Sequence, residues 1–188
     1  MSLKNSSKKH LFPRHAGQTT PKRPSAKGVA TLAEIARFVR AVRARGKKIV
    51  TTNGCFDLLH VGHIRYLEWA KRHGDVLIVG VNSDTSVRRL KGPTRPVTPQ
   101  KERAEIVASL RAVDAAFIFN ESTPKKWLAK LKPDVHVKGA DRSMNEIIER
   151  DVVEKYGGCV LLAPHIKGRS TTSLLKRIKK QWFPKGAI

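Results

Sequence analysis

The chain has 188 residues, with 38 Lys or Arg against 15 Asp or Glu and a formal net charge of +23. That length suits one domain with a sizeable core. No stretch approaches the run of about 18 apolar residues that a membrane span needs, residues 1–28 lack the apolar centre of a secretory signal, and two distant cysteines, Cys55 and Cys159, form no disulfide framework, so a reduced, cytoplasmic setting is expected.

Residues 1–28 carry seven Lys or Arg and no acid, and residues 155–188 carry eight and no acid, leaving 23 basic and all 15 acidic residues between them. The Pro, Ser and Lys content of the first segment forms no core. We expect a basic, flexible tail over 1–28, a folded domain over 29–182 and a short C-terminal tail over 183–188. Such a tail attracts polyanions without specificity; its acid-poor composition also fits an organellar transit peptide.

Regular structure is predicted to begin at Thr31, where Thr31-x-x-Glu34 forms a capping box ahead of Leu32, Ile35, Ala36, Val39 and Val42 at helical spacing. Gly46 ends that helix. Strands are predicted over 47–52, 75–82, 115–119, 134–137 and 159–163, with helices over about 62–73, 83–90, 99–111, 124–131, 143–156 and 171–181. Thr98 before Pro99 and Thr123 before Pro124 read as N-caps followed by an N1 proline, and Ser143-x-x-Glu146 as a second capping box. Short apolar strands alternating with amphipathic helices predict an α/β fold: a Rossmann-like, doubly wound, five-stranded parallel sheet in a single domain. Ligands of such sheets bind beyond the carboxyl ends of the strands.

Two candidate sites stand at such ends. The first strand runs into Asn53-Gly54-Cys55-Phe56-Asp57-Leu58-Leu59-His60-Val61-Gly62-His63. Gly54 allows a sharp turn and close approach of backbone N–H groups to an anion. A helix starting near Gly62 aims its positive end at the same place. His60 and His63, three apart, can face one side and donate to a phosphate whose oxygens gain charge. No metal ligands are assigned, since Cys55, His60 and His63 match no zinc spacing, and neither G-x-G-x-x-G nor a P-loop occurs. Arg169-Ser170-Thr171-Thr172 opens the last helix with hydroxyl and guanidinium donors suited to an anion. Lys138, Gly139 and Asp141 follow the fourth strand at the same edge.

The segment NGCFDLLHVGH resembles the HxGH signature of the nucleotidyltransferase superfamily that includes cytidylyltransferases and adenylyltransferases, and RSTT matches its second motif. That resemblance implies in-line attack of a substrate phosphate on ATP or CTP, with Mg²⁺ accompanying the nucleotide and no protein nucleophile. His60 and His63 would stabilise the α-phosphoryl group; Asn53, Gly54, Cys55, Phe56, Asp57, Gly62, Lys138, Gly139, Asp141, Arg169, Ser170, Thr171 and Thr172 would bind the nucleotide. Between the motifs, VNSD, RLKG, RPV-x-P-x-x-ER, AVD, KPD-x-x-VKGAD and RSTT-x-LLK-x-I resemble the adenylyltransferases that make ADP-heptose from ATP and D-glycero-β-D-manno-heptose 1-phosphate. Lys91 would then reach the phosphates from a mobile loop and Arg103 would bind the substrate phosphate. A separate sugar kinase would supply the acceptor, and a homodimer is implied. Within the same chemistry, a cytidylyltransferase using CTP and glycerol 3-phosphate or another polyol phosphate fits the shared motifs. A nucleic-acid-binding module using the basic termini is the reading of a different class; the folded region shows no recognition motif for it and few aromatics for base stacking. Neither a specific nucleic acid nor a membrane is expected as partner.

Overall fold

The computed structural model describes Pro24 and residues 29–139, 143–164 and 171–182. Thr31 starts the first helix as its spacing predicts. Its hydroxyl accepts from the Glu34 N–H at 3.3 Å, and the Glu34 carboxylate accepts from the Thr31 N–H at 2.7 Å, closing the capping box. Helix α1 (Leu32–Arg43) buries Ile35, Ala36, Phe38, Val39 and Val42. Gly46, at φ +66, ends the turn that follows.

From there strand and helix alternate: β1 (Ile49–Gly54), α2 (Val61–Lys71), β2 (Val76–Asn82), α3 (Asp84–Lys91), α4 (Gln100–Ala108), β3 (Ala115–Phe119), α5 (Lys125–Leu131), β4 (Val135–Gly139), a 3₁₀ turn (Met144–Glu146), α6 (Arg150–Lys155), β5 (Cys159–Ala163) and α7 (Thr171–Trp182). The five strands form one parallel sheet in the order β3-β2-β1-β4-β5. This is the Rossmann-like α/β sheet that the alternation predicts. Successive strand residues point to opposite faces, so each strand feeds two cores. Ile49, Ile78 and Phe117 pack with Trp127, Leu128 and Leu131 beneath α1, α5 and α6. Val50, Leu77, Val79 and Val137 pack with Leu67, Ala70, Ala104 and Val107 beneath α2 and α4. No described helix is long and apolar enough to cross a membrane.

One feature of the register positions the site. β1 pairs with β2 as far as Gly54↔Val81, and β4 pairs with β5 as far as Gly139↔Ala163. Between β1 and β4 the ladder runs only from Val50↔Val135 to Thr52↔Val137. Where it stops, the Val137 carbonyl accepts from the Thr52 hydroxyl and the Tyr66 hydroxyl, both at 2.9 Å. The ends of β1 and β4 therefore part, and a crevice opens between Asn53-Gly54 and Lys138-Gly139.

Two expectations are corrected. Pro99 and Pro124, rather than Thr98 and Thr123, occupy the cap positions, and neither makes a side-chain cap bond. The predicted helix over 143–156 is broken in two. Ser143 and Glu146 do form their capping box, but Ile147 leaves helical geometry at φ −89, ψ 91. Its side chain is buried, and core packing outweighs helical propensity there.

Trp127 is fully buried and meets Phe117 and Phe119 edge-on, at 5.2 and 5.8 Å between centroids. Trp127→Ala is expected to cost about 3–5 kcal/mol of stability, read from urea unfolding; a loss below about 1 kcal/mol would mean that this face is not the main core.

Candidate active site

The turn between β1 and α2 is built by tight packing. An added Cβ on Gly54 would lie 3.1 Å from Phe56 Cε2, a tight approach that would press on that ring. Phe56 takes the left-handed conformation at φ 46, an uncommon and strained state for a bulky residue. It is buried, and its ring lies 5.5 Å from that of His63. That conformation sets the Phe56 ring against His63.

His60 is the N-cap of α2, and the two histidines form a capping box of their own. His60 Nδ1 accepts from the Gly62 N–H at 3.1 Å, and His63 Nδ1 accepts, at a longer 3.4 Å, from the His60 N–H. Their rings stack at 4.0 Å. A ring whose Nδ1 accepts carries its proton on Nε2 when neutral, so both imidazoles are set as Nε2–H donors. Burial, and then the neighbouring His60, hold His63 down to about 4. It is therefore neutral at physiological pH, donating a hydrogen bond without adding a charge.

The second predicted motif meets the first. Thr171 opens α7, and its hydroxyl donates to the Leu58 carbonyl at 3.4 Å, two residues before His60. Thr172 is exposed beside it. Asp141, Arg169 and Ser170 lie outside the described residues. Across the crevice, Lys138 Nζ donates to Asn53 Oδ1 at 3.2 Å; Gly139 ends β4 at the same level. Gly62 is buried in the first turn of α2.

The structure gives other predicted residues bracing roles. Arg103 was expected to bind the substrate phosphate, but its side chain is 0% exposed. Nε donates to the Thr98 carbonyl at 2.8 Å, Nη2 to Asp84 Oδ1 at 2.8 Å, and Nη1 to the Cys55 carbonyl. As folded, its donors tie the turn to the loop before α4 instead of facing solvent. Asp57 does the reciprocal job from the turn. Its Oδ1 accepts from Val97 N–H and Thr98 N–H at 2.8 and 3.0 Å, and its Oδ2 from Arg95 Nε at 2.5 Å. Burial pushes the Cys55 thiol up, against the pull of Lys91 and Arg103, so it is no ready nucleophile. Lys91 stands at the exposed last position of α3, within electrostatic reach of that thiol.

Sequence reasoning missed two buried residues under the crevice. His136 lies on β4, with Nδ1 2.9 Å from Thr51 Oγ1. Glu149, the N-cap of α6, places Oε1 2.6 Å from Lys138 Nζ and 3.6 Å from His136 Nε2. The only signal was a polar residue inside an apolar strand; Glu149 looked like one more surface acid.

A parallel sheet that opens at its switch point beside a helix N-terminus and paired imidazole donors is the arrangement of a nucleotide-handling enzyme. The family follows from comparison. Residues 51–182 match the cytidylyltransferase-like family; the chain belongs to it and is a nucleotidyltransferase. It is 51% identical over 154 residues to the "Bifunctional protein HldE" of Geobacter metallireducens, over 82% of this chain and 31% of that protein. It is 46% identical over 158 residues to the protein of the same name from Nitratiruptor sp., over 84% of this chain and 33% of that one. The chain thus spans about a third of the length of these relatives. It also resembles the solved lipopolysaccharide core biosynthesis protein from Thermoplasma volcanium, with a TM-score of 0.55 and 32% identity, covering 66% of this chain and all of that one.

The depressed His63 value makes stability depend on pH. Unfolded histidine takes up its proton near 6.5, whereas folded His63 does so at about 4. Between these values the unfolded state binds more protons, so this contribution is complete above about pH 6.5 and is lost as pH falls toward 4. Comparing urea unfolding of wild type and His63→Gln from pH 7.5 to 4.5, the wild type is expected to lose ground relative to the variant as pH drops. A difference independent of pH would show that His63 is not desolvated.

Proposed function

We propose that the chain transfers AMP from ATP to a sugar 1-phosphate, D-glycero-β-D-manno-heptose 1-phosphate, giving ADP-heptose and pyrophosphate. The observation that carries this reading is the β1–β4 crevice, with the stacked His60–His63 pair on one lip and the Thr171 hydroxyl bonded beside it. The acceptor assignment is supported by the resemblance from VNSD to the VKGAD segment, and by the likeness to a solved lipopolysaccharide core biosynthesis protein. A sugar kinase supplies the 1-phosphate. A second reading, CTP with glycerol 3-phosphate, takes its support from the cytidylyltransferase-like family match.

In the proposed reaction an acceptor phosphate oxygen attacks the α-phosphorus in line. The new P–O bond forms as the bond to the β-phosphate oxygen breaks, and pyrophosphate carries away the electron pair. The chain supplies position and charge stabilisation. Nε2–H donors of His60 and His63 serve the α-phosphoryl oxygens, beside the positive end of the α2 dipole. Mg²⁺ would shield the triphosphate. Among the described residues no group of three His, Cys, Asp or Glu could hold a metal, and both Asp57 oxygens are committed to the 95–98 loop. In this reading the ion arrives with the nucleotide.

The test crosses ATP or CTP with heptose 1-phosphate and glycerol 3-phosphate, following pyrophosphate release. ATP with the heptose phosphate is expected to be the productive pair; preference for CTP with glycerol 3-phosphate would overturn the substrate assignment. In the productive pair, His63→Ala is expected to lower kcat by roughly 10²–10³, and an unchanged kcat in folded protein would remove this imidazole from the mechanism.

A further inference from the structure

Beyond the last β1–β4 pair, a line of polar side chains crosses the gap. Lys138 reaches Asn53 on one side and Glu149 on the other. Its side chain is 14% exposed and that of Glu149 4%. Beneath them, His136 is held below the ordinary histidine value, chiefly by burial. The Glu149 carboxyl would be raised by its own burial, but His136 and Lys138 outweigh that and hold it below the usual carboxylate range.

A buried ion pair adds little net stability, because desolvation offsets the attraction. What it supplies here is direction. A lysine ammonium sits on a flexible stem with three donors. Paired with the Glu149 carboxylate at 2.6 Å and donating to Asn53 Oδ1, Nζ stays at the crevice instead of turning to solvent. An amide whose oxygen accepts from Lys138 must turn its NH₂ group the other way, so the same contact fixes what Asn53 presents. Asn53 adjoins Gly54, the start of the phosphate turn. The break at Ile147 releases Glu149 from a continuous helix and lets it turn inward.

We infer that Glu149 is a positioning residue for nucleotide binding: by gripping the Lys138 ammonium, it sets both Lys138 and the Asn53 amide at the mouth of the β1–β4 crevice. This rests on the nucleotidyltransferase reading of that crevice, and it holds whichever triphosphate and acceptor are used.

Titration calorimetry with ATP and with CTP, without acceptor, comes first on the unsubstituted protein. Binding of neither overturns the functional reading, and this proposal with it, before any variant is compared. With the triphosphate that binds, Glu149→Gln is expected to weaken Kd about 5- to 20-fold, and to raise KM in proportion while kcat changes less than about 3-fold. Lys138→Met should weaken binding at least as much. Adding Glu149→Gln to Lys138→Met should then weaken it no further, since the carboxylate acts through the ammonium. Unaltered Kd in folded Glu149→Gln, or a loss that adds in full to that of Lys138→Met, overturns the proposal whatever the melting temperature does. Should Glu149→Gln not fold, Glu149→Asp gives the same comparison: its loss of affinity is expected to vanish in the Lys138→Met background, and its persistence there overturns the proposal.

Discussion

Two neighbouring parallel strands that pair briefly and then separate are the constraint on which the rest depends. The chain leaves β1 by α2, which packs on one face of the sheet. It leaves β4 toward Ile147 and Val153, which pack on the other. Connections departing in opposite directions cannot cover the gap between their strands, so the gap stays open. The site residues then follow from position. Asn53 and Gly54 are where they are because β1 outruns its ladder with β4, and Lys138 and Gly139 for the mirror reason. The hydroxyls of Thr52 and Tyr66 satisfy the carbonyl left at the parting point, as a buried acceptor requires.

Much of this was legible in the residues. The strands are short apolar runs bounded by turns, and burial on both faces makes such runs nearly continuous; β2, buried at every position, is the clearest. The Thr31 and Ser143 capping boxes were readable because their partners lie three residues apart. The same locality explains the histidine turn. His60 and His63 organise each other across three residues, so spacing alone carried the message.

What escaped reading depends on residues distant in sequence. The family resemblance implied that Arg103 binds the substrate phosphate. Its partners are 5, 19 and 48 residues away, and no local pattern announces that they close around it. Asp57 was assigned through its place in the NGCFDLLHVGH segment; its oxygens are occupied from 38 to 41 residues downstream. Glu149 was hidden by a helix drawn through Ile147. Periodicity favoured continuity there, and only the need to bury Ile147 against the sheet broke it.

The histidine turn ties a proposed donor pair to the start of a helix. Each imidazole accepts a hydrogen bond from a backbone N–H with Nδ1, so the groups proposed to face the ligand are also the stitching that starts α2. Function and local architecture are held by the same four residues. The pair is also braced from outside, by the Phe56 ring beside His63, by Asp57 and Arg103 tying the turn to the 95–98 loop, and by Thr171 on the Leu58 carbonyl. A change at either histidine would loosen the start of α2 as well as remove a proposed donor, so architecture and chemistry answer to the same substitution here.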